Sequence, residues 1–214
     1  MTAAGRQVPD RRTIDCMKRS PSAVVALAAA FALAACGGGG DGGSEAKLDP
    51  RPAEITKPGT VLALGERAFV RYAGLGANNE PTVNTDLGVT VLKVEEGSAS
   101  DIDGLGESTI PWYVHVEYEN HGEAEIAVGA GPRGRFSIVG SDGEDYDTAG
   151  VISIGGDFDL CPRADTEATL SAQEAVADCA IFAVTEGVSP REVRFVGDYA
   201  VQEEPVGWKV QSTE

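Results

Sequence analysis

The chain has 214 residues, 17 Lys and Arg against 34 Asp and Glu, and a formal charge of −17 at pH 7. That balance excludes a phosphate-tracking nucleic-acid protein and a basic surface seeking anionic lipid, because both depend on clustered Lys and Arg. The length suits one domain with a real core.

Residues 1 to 16 carry Arg6, Asp10, Arg11, Arg12 and Asp15 without periodicity, and Met17-Lys18-Arg19 is the natural beginning of a secretory leader. The thirteen residues Ala23 to Ala35 are all Ala, Val, Leu or Phe. As a helix they would reach roughly 20 Å, against about 30 Å of bilayer hydrocarbon, which is short for a membrane span. The stretch ends in Leu33-Ala34-Ala35-Cys36, followed by Gly37 to Gly40. This tetrapeptide resembles a bacterial lipobox. The resemblance implies a diacylglyceryl group on the Cys36 sulfur and cleavage before that residue, removing residues 1–35 and Cys16 with them. Two other readings stand beside it. Ala32-Leu33-Ala34 is a small-x-small site for ordinary secretion, and the leader could stay uncleaved as an anchor.

Cleavage before Cys36 leaves 179 residues with 12 basic and 32 acidic side chains, a charge of −20. Attachment of so acidic a chain to a membrane has to come from acyl chains. A buried methylene contributes about 0.8 kcal/mol, so two chains hold stably where one holds marginally. Residues 36–59 read as a tether, with the glycine-rich stretch Gly37–Gly43, interrupted by Asp41, and then Asp49-Pro50-Arg51-Pro52 and Lys57-Pro58-Gly59. A flexible segment of this length spans about 25–30 Å.

Residues 60–214 change pattern to short β-rich segments between Gly, Asp and Asn. Strands are predicted at Ala68–Tyr72, Leu87–Val94, Trp112–Glu119, Glu125–Val128, Arg135–Val139, Val151–Ile154, Cys179–Val184, Glu192–Val196 and Val206–Val210. In Trp112–Glu119, Val114, Val116 and Tyr118 face one way, and His115, Glu117 and Glu119 the other. Asn120-His121-Gly122 reads as a turn. Ala-rich Thr166–Val176 is either a turn or two of helix or an ordered loop. Seven to nine short strands with polar turns predict an all-β, antiparallel, immunoglobulin-like sandwich. Cys161 and Cys179 are an even pair in an exported chain and predict one disulfide; a metal pair would want His or further Cys nearby, and there is none.

Several features together resemble the telokin-like, immunoglobulin-type domains of actinobacterial lipoproteins and secreted immunoprotective antigens. They are Gly65-Glu66-Arg67-Ala68, Val89-Thr90-Val91, Glu96-Gly97 with Asp101, Tyr113-Val114-His115-Val116-Glu117-Tyr118-Glu119-Asn120 with Gly122, the Cys161 and Cys179 pair, and Trp208. In that group an extended strand and turn precede a cysteine-bridged loop. The resemblance implies an extracellular fold and supplies no catalytic residues. The two cysteines are too close in sequence for the inter-sheet bridge of antibody domains and should staple an excursion at one end of the sandwich.

Gly129-Ala130-Gly131-Pro132-Arg133-Gly134 matches G-x-G-x-x-G, but a strand-like segment follows where a dinucleotide fold needs a helix, so it reads as a hairpin loop. His115 and His121 are the only histidines and read as surface residues; neither H-E-x-x-H nor G-x-S-x-G occurs. Asp142, Glu144, Asp145 and Asp147 around Gly143 are the best place for a Ca²⁺ ion, without EF-hand order, and otherwise form a solvated loop. Asp101-Ile102-Asp103 and Asp157-Phe158-Asp159 are weaker instances. Trp112, Tyr113, Tyr118 and Trp208 read as core rather than as a ligand platform. The functional expectation is a non-enzymatic module without cofactor, held by Cys36 on the outer face of the cell membrane, that binds an envelope protein, glycan or peptide. The alternative is an envelope hydrolase or Ca²⁺-binding surface protein built on carboxylates such as Asp142 and Asp145.

Overall fold

The computed structural model describes residues 54–77, 82–102, 104–106, 108–128, 131–148, 159–165, 167–198 and 204–211, all within one unit, Glu45–Glu214. The lipobox, Cys36 and the predicted strand Val151–Ile154 lie outside the described residues, as do Asp103, Asp157, Gly129 and Ala130.

Eleven strands are described, and nine of them make two sheets. The first sheet has the order β1 (Val61–Ala63), β11 (Val206–Lys209), β10 (Pro190–Phe195), β6 (Phe136–Gly140) and β7 (Asp145–Asp147). The second has the order β2 (Arg67–Gly74), β3 (Val83–Glu96), β4 (Thr109–Asn120) and β9 (Ala175–Thr185). A small ladder pairs β5 (Ile126–Ala127) with β8 (Thr169–Leu170). All pairings are antiparallel except β1 on β11. The chain is an all-β sandwich, as its alternating segments predict.

The period-2 pattern decides what lies between the sheets. Ala68, Val70, Tyr72, Leu87, Val89, Val91, Val114, Val116, Tyr118, Ala180, Phe182 and Val184 from the four-stranded sheet meet Phe136, Ile138, Val193, Phe195, Val206 and Trp208 from the other. Tyr118 reaches Phe136 at 6.3 Å between ring centroids, and Phe136 reaches Phe195 at 4.7 Å, so one aromatic row crosses the layers. Trp208 is fully buried, and its indole N–H donates to the Glu66 carbonyl at 2.8 Å. Tyr118 and Trp208 are therefore core, Tyr113 is buried in a second apolar cluster, and Trp112 packs against the main core.

Four details differ from expectation. The segment 54–59, counted as tether, is already docked: Thr56 N–H donates to the Phe69 carbonyl, Thr56 Oγ1 accepts from Phe69 N–H, and Gly59 N–H donates to Pro205. Thr166–Val176 is no helix where it is described. It supplies β8, a turn in which Gln173 takes a φ of 65°, and the first residues of β9. That turn is held from outside, since Gln173 N–H donates to the Asn120 carbonyl and Asn120 N–H donates to Glu174. The glycine-rich motif ends in a 3-10 turn, Pro132–Arg135, that runs straight into β6. Finally, β3 carries a bulge between Val91 and Lys93 that leaves Leu92 exposed.

Candidate functional site

The outward face of the four-stranded sheet holds most of its charged residues, because most inward positions of the same strands are apolar. Its register places Arg71 opposite Asp86, Phe69 opposite Gly88, Gly88 opposite Glu119, and Arg67 opposite Thr90. Glu119 is buried, with one carboxylate oxygen paired to the Arg67 guanidinium and the other 2.9 Å from His121 Nε2. The His121 ring meets Phe69 edge to face at 5.1 Å. Gly88 makes room for this layer: a Cβ there would sit 3.3 Å from each of Arg67 Cδ, Glu119 Cβ and His121 Nε2. His121 is thus a buried residue and not the surface histidine its turn-like setting suggests, because the missing side chain at Gly88 lets the ring fold back onto the sheet.

At the end of this face lies a groove of about 570 Å³ lined by Arg71, Asn84, Thr85, Asp86 and His121 and by the turn Gly122-Glu123-Ala124. Asn120 fixes its wall. The fully buried Asn120 amide accepts from Thr85 Oγ1 at 2.7 Å and Gly122 N–H at 3.1 Å, and donates to the carbonyls of Ala124 at 2.8 Å and Leu170 at 3.0 Å. Both hydrogens and both lone pairs of the amide are used, so the turn has one well-defined conformation. A Cβ at Gly122 would collide with Thr85 Oγ1. The groove therefore offers a guanidinium, an amide and two carboxylates on a rigid frame, with Arg71, Asn84 and Glu123 exposed. The Thr85 hydroxyl gives its proton to Asn120, not to His121.

A second, smaller groove of about 400 Å³ runs along Glu95, Glu96, Gly97, Ser98, Asp101, Tyr113 and Leu160. Tyr113 donates to Asp101 Oδ2 at 3.1 Å, and burial, with that bond second, pushes its phenol above the usual range. Beside it His115 Nε2 lies 2.9 Å from Glu95, which also pairs with Lys93 at 2.7 Å. Burial, and then the Lys93 ammonium, hold His115 below its ordinary 6.5 against the opposing pull of Glu95. The folded state therefore binds fewer protons than the unfolded chain as pH falls through about 6.5, and stability present above that pH is lost below it. Urea midpoints measured between about pH 7.5 and 5 should fall less steeply in His115→Gln than in the wild type; equal slopes would contradict this role.

The sequence-predicted site residues fall elsewhere. Cys161 and Cys179 are joined, with Cα atoms 5.3 Å apart. Cys179 lies opposite His115 on the outward face, so the bridge sits against Tyr113, Ile102 and Ile181 and not at an end of the sandwich. The acidic hairpin spends its oxygens locally. Asp142 accepts from Tyr146 at 2.7 Å and from Glu144 N–H at 3.1 Å, and the tyrosine bond in particular holds its carboxyl below the usual range. Asp145 pairs with Arg194 at 3.2 Å, and Glu144 and Asp147 are exposed. Among the described residues no three His, Cys, Asp or Glu converge on a metal position.

No family model and no curated protein matches the chain. Among solved structures it is similar to MPT63, a secreted protein of Mycobacterium tuberculosis, at 16% identity over 74% of this chain and 100% of that one, with a TM-score of 0.48. It is also similar to a candidate lipoprotein of Bacillus subtilis, at 13% identity over 67% of this chain and 39% of that one, TM-score 0.40. An uncharacterised β-sandwich protein of Clostridium difficile is a third, at 10% identity over 76% of this chain and 100% of that one, TM-score 0.42.

Proposed function

We propose that the protein is a non-enzymatic binding module, held on the outer face of the cell membrane by a diacylglyceryl group on Cys36, and that the groove walled by the Asn120-anchored turn takes a polar envelope ligand. The rigid groove is the observation that carries this reading. The turn that walls it is held in one conformation by Asn120, which lowers the cost of ordering on binding. Arg71 shares the groove with Asp86 and Glu123, so the lining suits a ligand with both donors and acceptors and not a polyanion. The His121–Glu119 pair has no hydroxyl nucleophile supplied by Thr85, whose proton is committed to Asn120. Asp142 and Asp145, the carboxylates on which a hydrolase would rest, are exposed on a hairpin.

The test is recovery of envelope material on immobilised protein, wild type against the double variant Arg71→Ala/Glu123→Ala. Both side chains are exposed, so the fold should survive. A protein, peptide or glycan enriched by the wild type and lost from the variant is the expected result. Equal recovery by both would remove the groove from the account, and no enrichment by either would remove the binding function.

A further inference from the structure

We propose that residues 159–165 form a strap that crosses the open edge of β9, is latched on both sides of the sheet, and keeps β9 from pairing with a second copy of this chain. Among the described residues β9 is the last strand of its sheet. Successive β9 residues point to opposite faces: Cys179 outward, beside Tyr113 and Ile181, and Asp178 and Ala180 inward. The strap touches both faces within four residues. On the outward side Cys161 is bonded to Cys179. On the inward side Ala164 N–H donates to Asp178 Oδ1 at 2.9 Å, and the Ala164 carbonyl accepts from Arg133 Nη2 at 3.3 Å. Arg133 is itself held by two bonds to Asp178, at 2.6 and 3.0 Å. A segment bonded to the two faces of an edge strand has to pass over the edge.

The run that begins where the strap crosses is independent reason for it. Cys179-Ala180-Ile181-Phe182-Ala183-Val184 is an uncharged, Pro-free, β-prone run. Such a run on a free edge is a template for self-pairing. Further along the same edge, Thr148 bridges to Phe182, so β9 is covered at two points. The negative charge of the chain opposes contact between copies at low salt, but that protection weakens with ionic strength; the strap does not depend on it.

The experiment uses the full chain as wild type, Cys161→Ser/Cys179→Ser, Asp178→Ala, which removes the acceptor of the Ala164 N–H, and the triple combination. Amide exchange at Ala164 and along β9 reports the strap, sedimentation at two concentrations and two salt levels reports association, and near-ultraviolet dichroism reports the fold. Either latch alone should keep the chain monomeric. The cysteine variant, and wild type in dithiothreitol, should keep the Ala164 amide protected through Asp178. Loss of both latches should raise β9 edge exchange by about tenfold or more and produce salt-promoted dimers or larger species. Adding Ala177→Lys, at an exposed β9 position, should restore the monomer by the charge it places on the edge. A folded triple variant that stays monomeric with a protected β9 overturns the proposal. If the triple variant does not fold, the Ala164 amide in reduced wild type decides: protection supports the second latch, and full exchange in an otherwise folded protein overturns it.

Discussion

Asp178→Ala is expected to lower the unfolding free energy by about 3–5 kcal/mol, among the largest effects of any single change in the molecule. Asp178 is 2% exposed and faces the sandwich interior from the edge of its sheet. Its carboxylate accepts two bonds from Arg133, itself 8% exposed, and one from the Ala164 backbone. Without it the buried guanidinium loses its facing carboxylate, and the cost includes the weaker compensation of that cation and not the lost contact alone. The phenol of Tyr118 feels the same pair. Burial first, and then the nearby Asp178 charge, push it well above its ordinary range; the burial remains when Asp178 is removed, so the phenol stays neutral in the variant and does not compensate the arginine. Paired replacement by Arg133→Met/Asp178→Leu removes both charges and should cost much less than Asp178→Ala. Urea denaturation of the three proteins separates these cases. A single variant with an unchanged midpoint, or a double variant as damaged as the single, would show that the pair is not desolvated as described.

Asn120→Ala should cost about 2–4 kcal/mol and remove the groove wall at the same time. The change leaves the Thr85 hydroxyl, the Gly122 N–H and the carbonyls of Ala124 and Leu170 without their common partner. Thr85 and Leu170 are buried, so water cannot simply replace the amide. Asn120→Asp is the more revealing variant. It keeps the acceptor for Thr85 and Gly122 but turns a negative oxygen toward two carbonyls, so it should be no better tolerated than alanine. Denaturant midpoints give the stability, and exchange of the Gly122 amide reports the turn. An Asn120→Asp protein of wild-type stability would contradict the bonding pattern around this side chain.

The core was readable from alternation alone. Period 2 puts Val114, Val116 and Tyr118 on one face and they do form the interior, and the aromatic residues Tyr118 and Trp208 are core as their strand positions imply. The cysteine pairing was readable from count and compartment, but its place on the sheet was not, because nothing local to Cys161 says which strand edge the chain will cross. Most of the groove was hidden for a related reason. Arg71, Asn84 and Asp86 lie on two strands and Glu123 in a turn, and only the strand register brings them together. The one local sign was the Asn120-His121-Gly122 turn, whose asparagine and glycine are the two positions with a demanding steric and bonding role. The burial of His121 is not legible locally, because it depends on Gly88, 33 positions earlier, having no side chain. The acidic hairpin misled in the opposite way: density of carboxylates in sequence does not make them converge, and here Tyr146 and Arg194 divide them.

The central claim, that acyl chains and not surface charge hold an acidic β-sandwich beside the bilayer, is tested most directly by the intact mass of the mature protein recovered from the membrane fraction. The account predicts an N-terminus at Cys36 carrying a diacylglyceryl group, and release of a Cys36→Ala chain from that fraction. A native protein that keeps an unmodified leader, or that is found without acyl chains in the culture fluid, would contradict it.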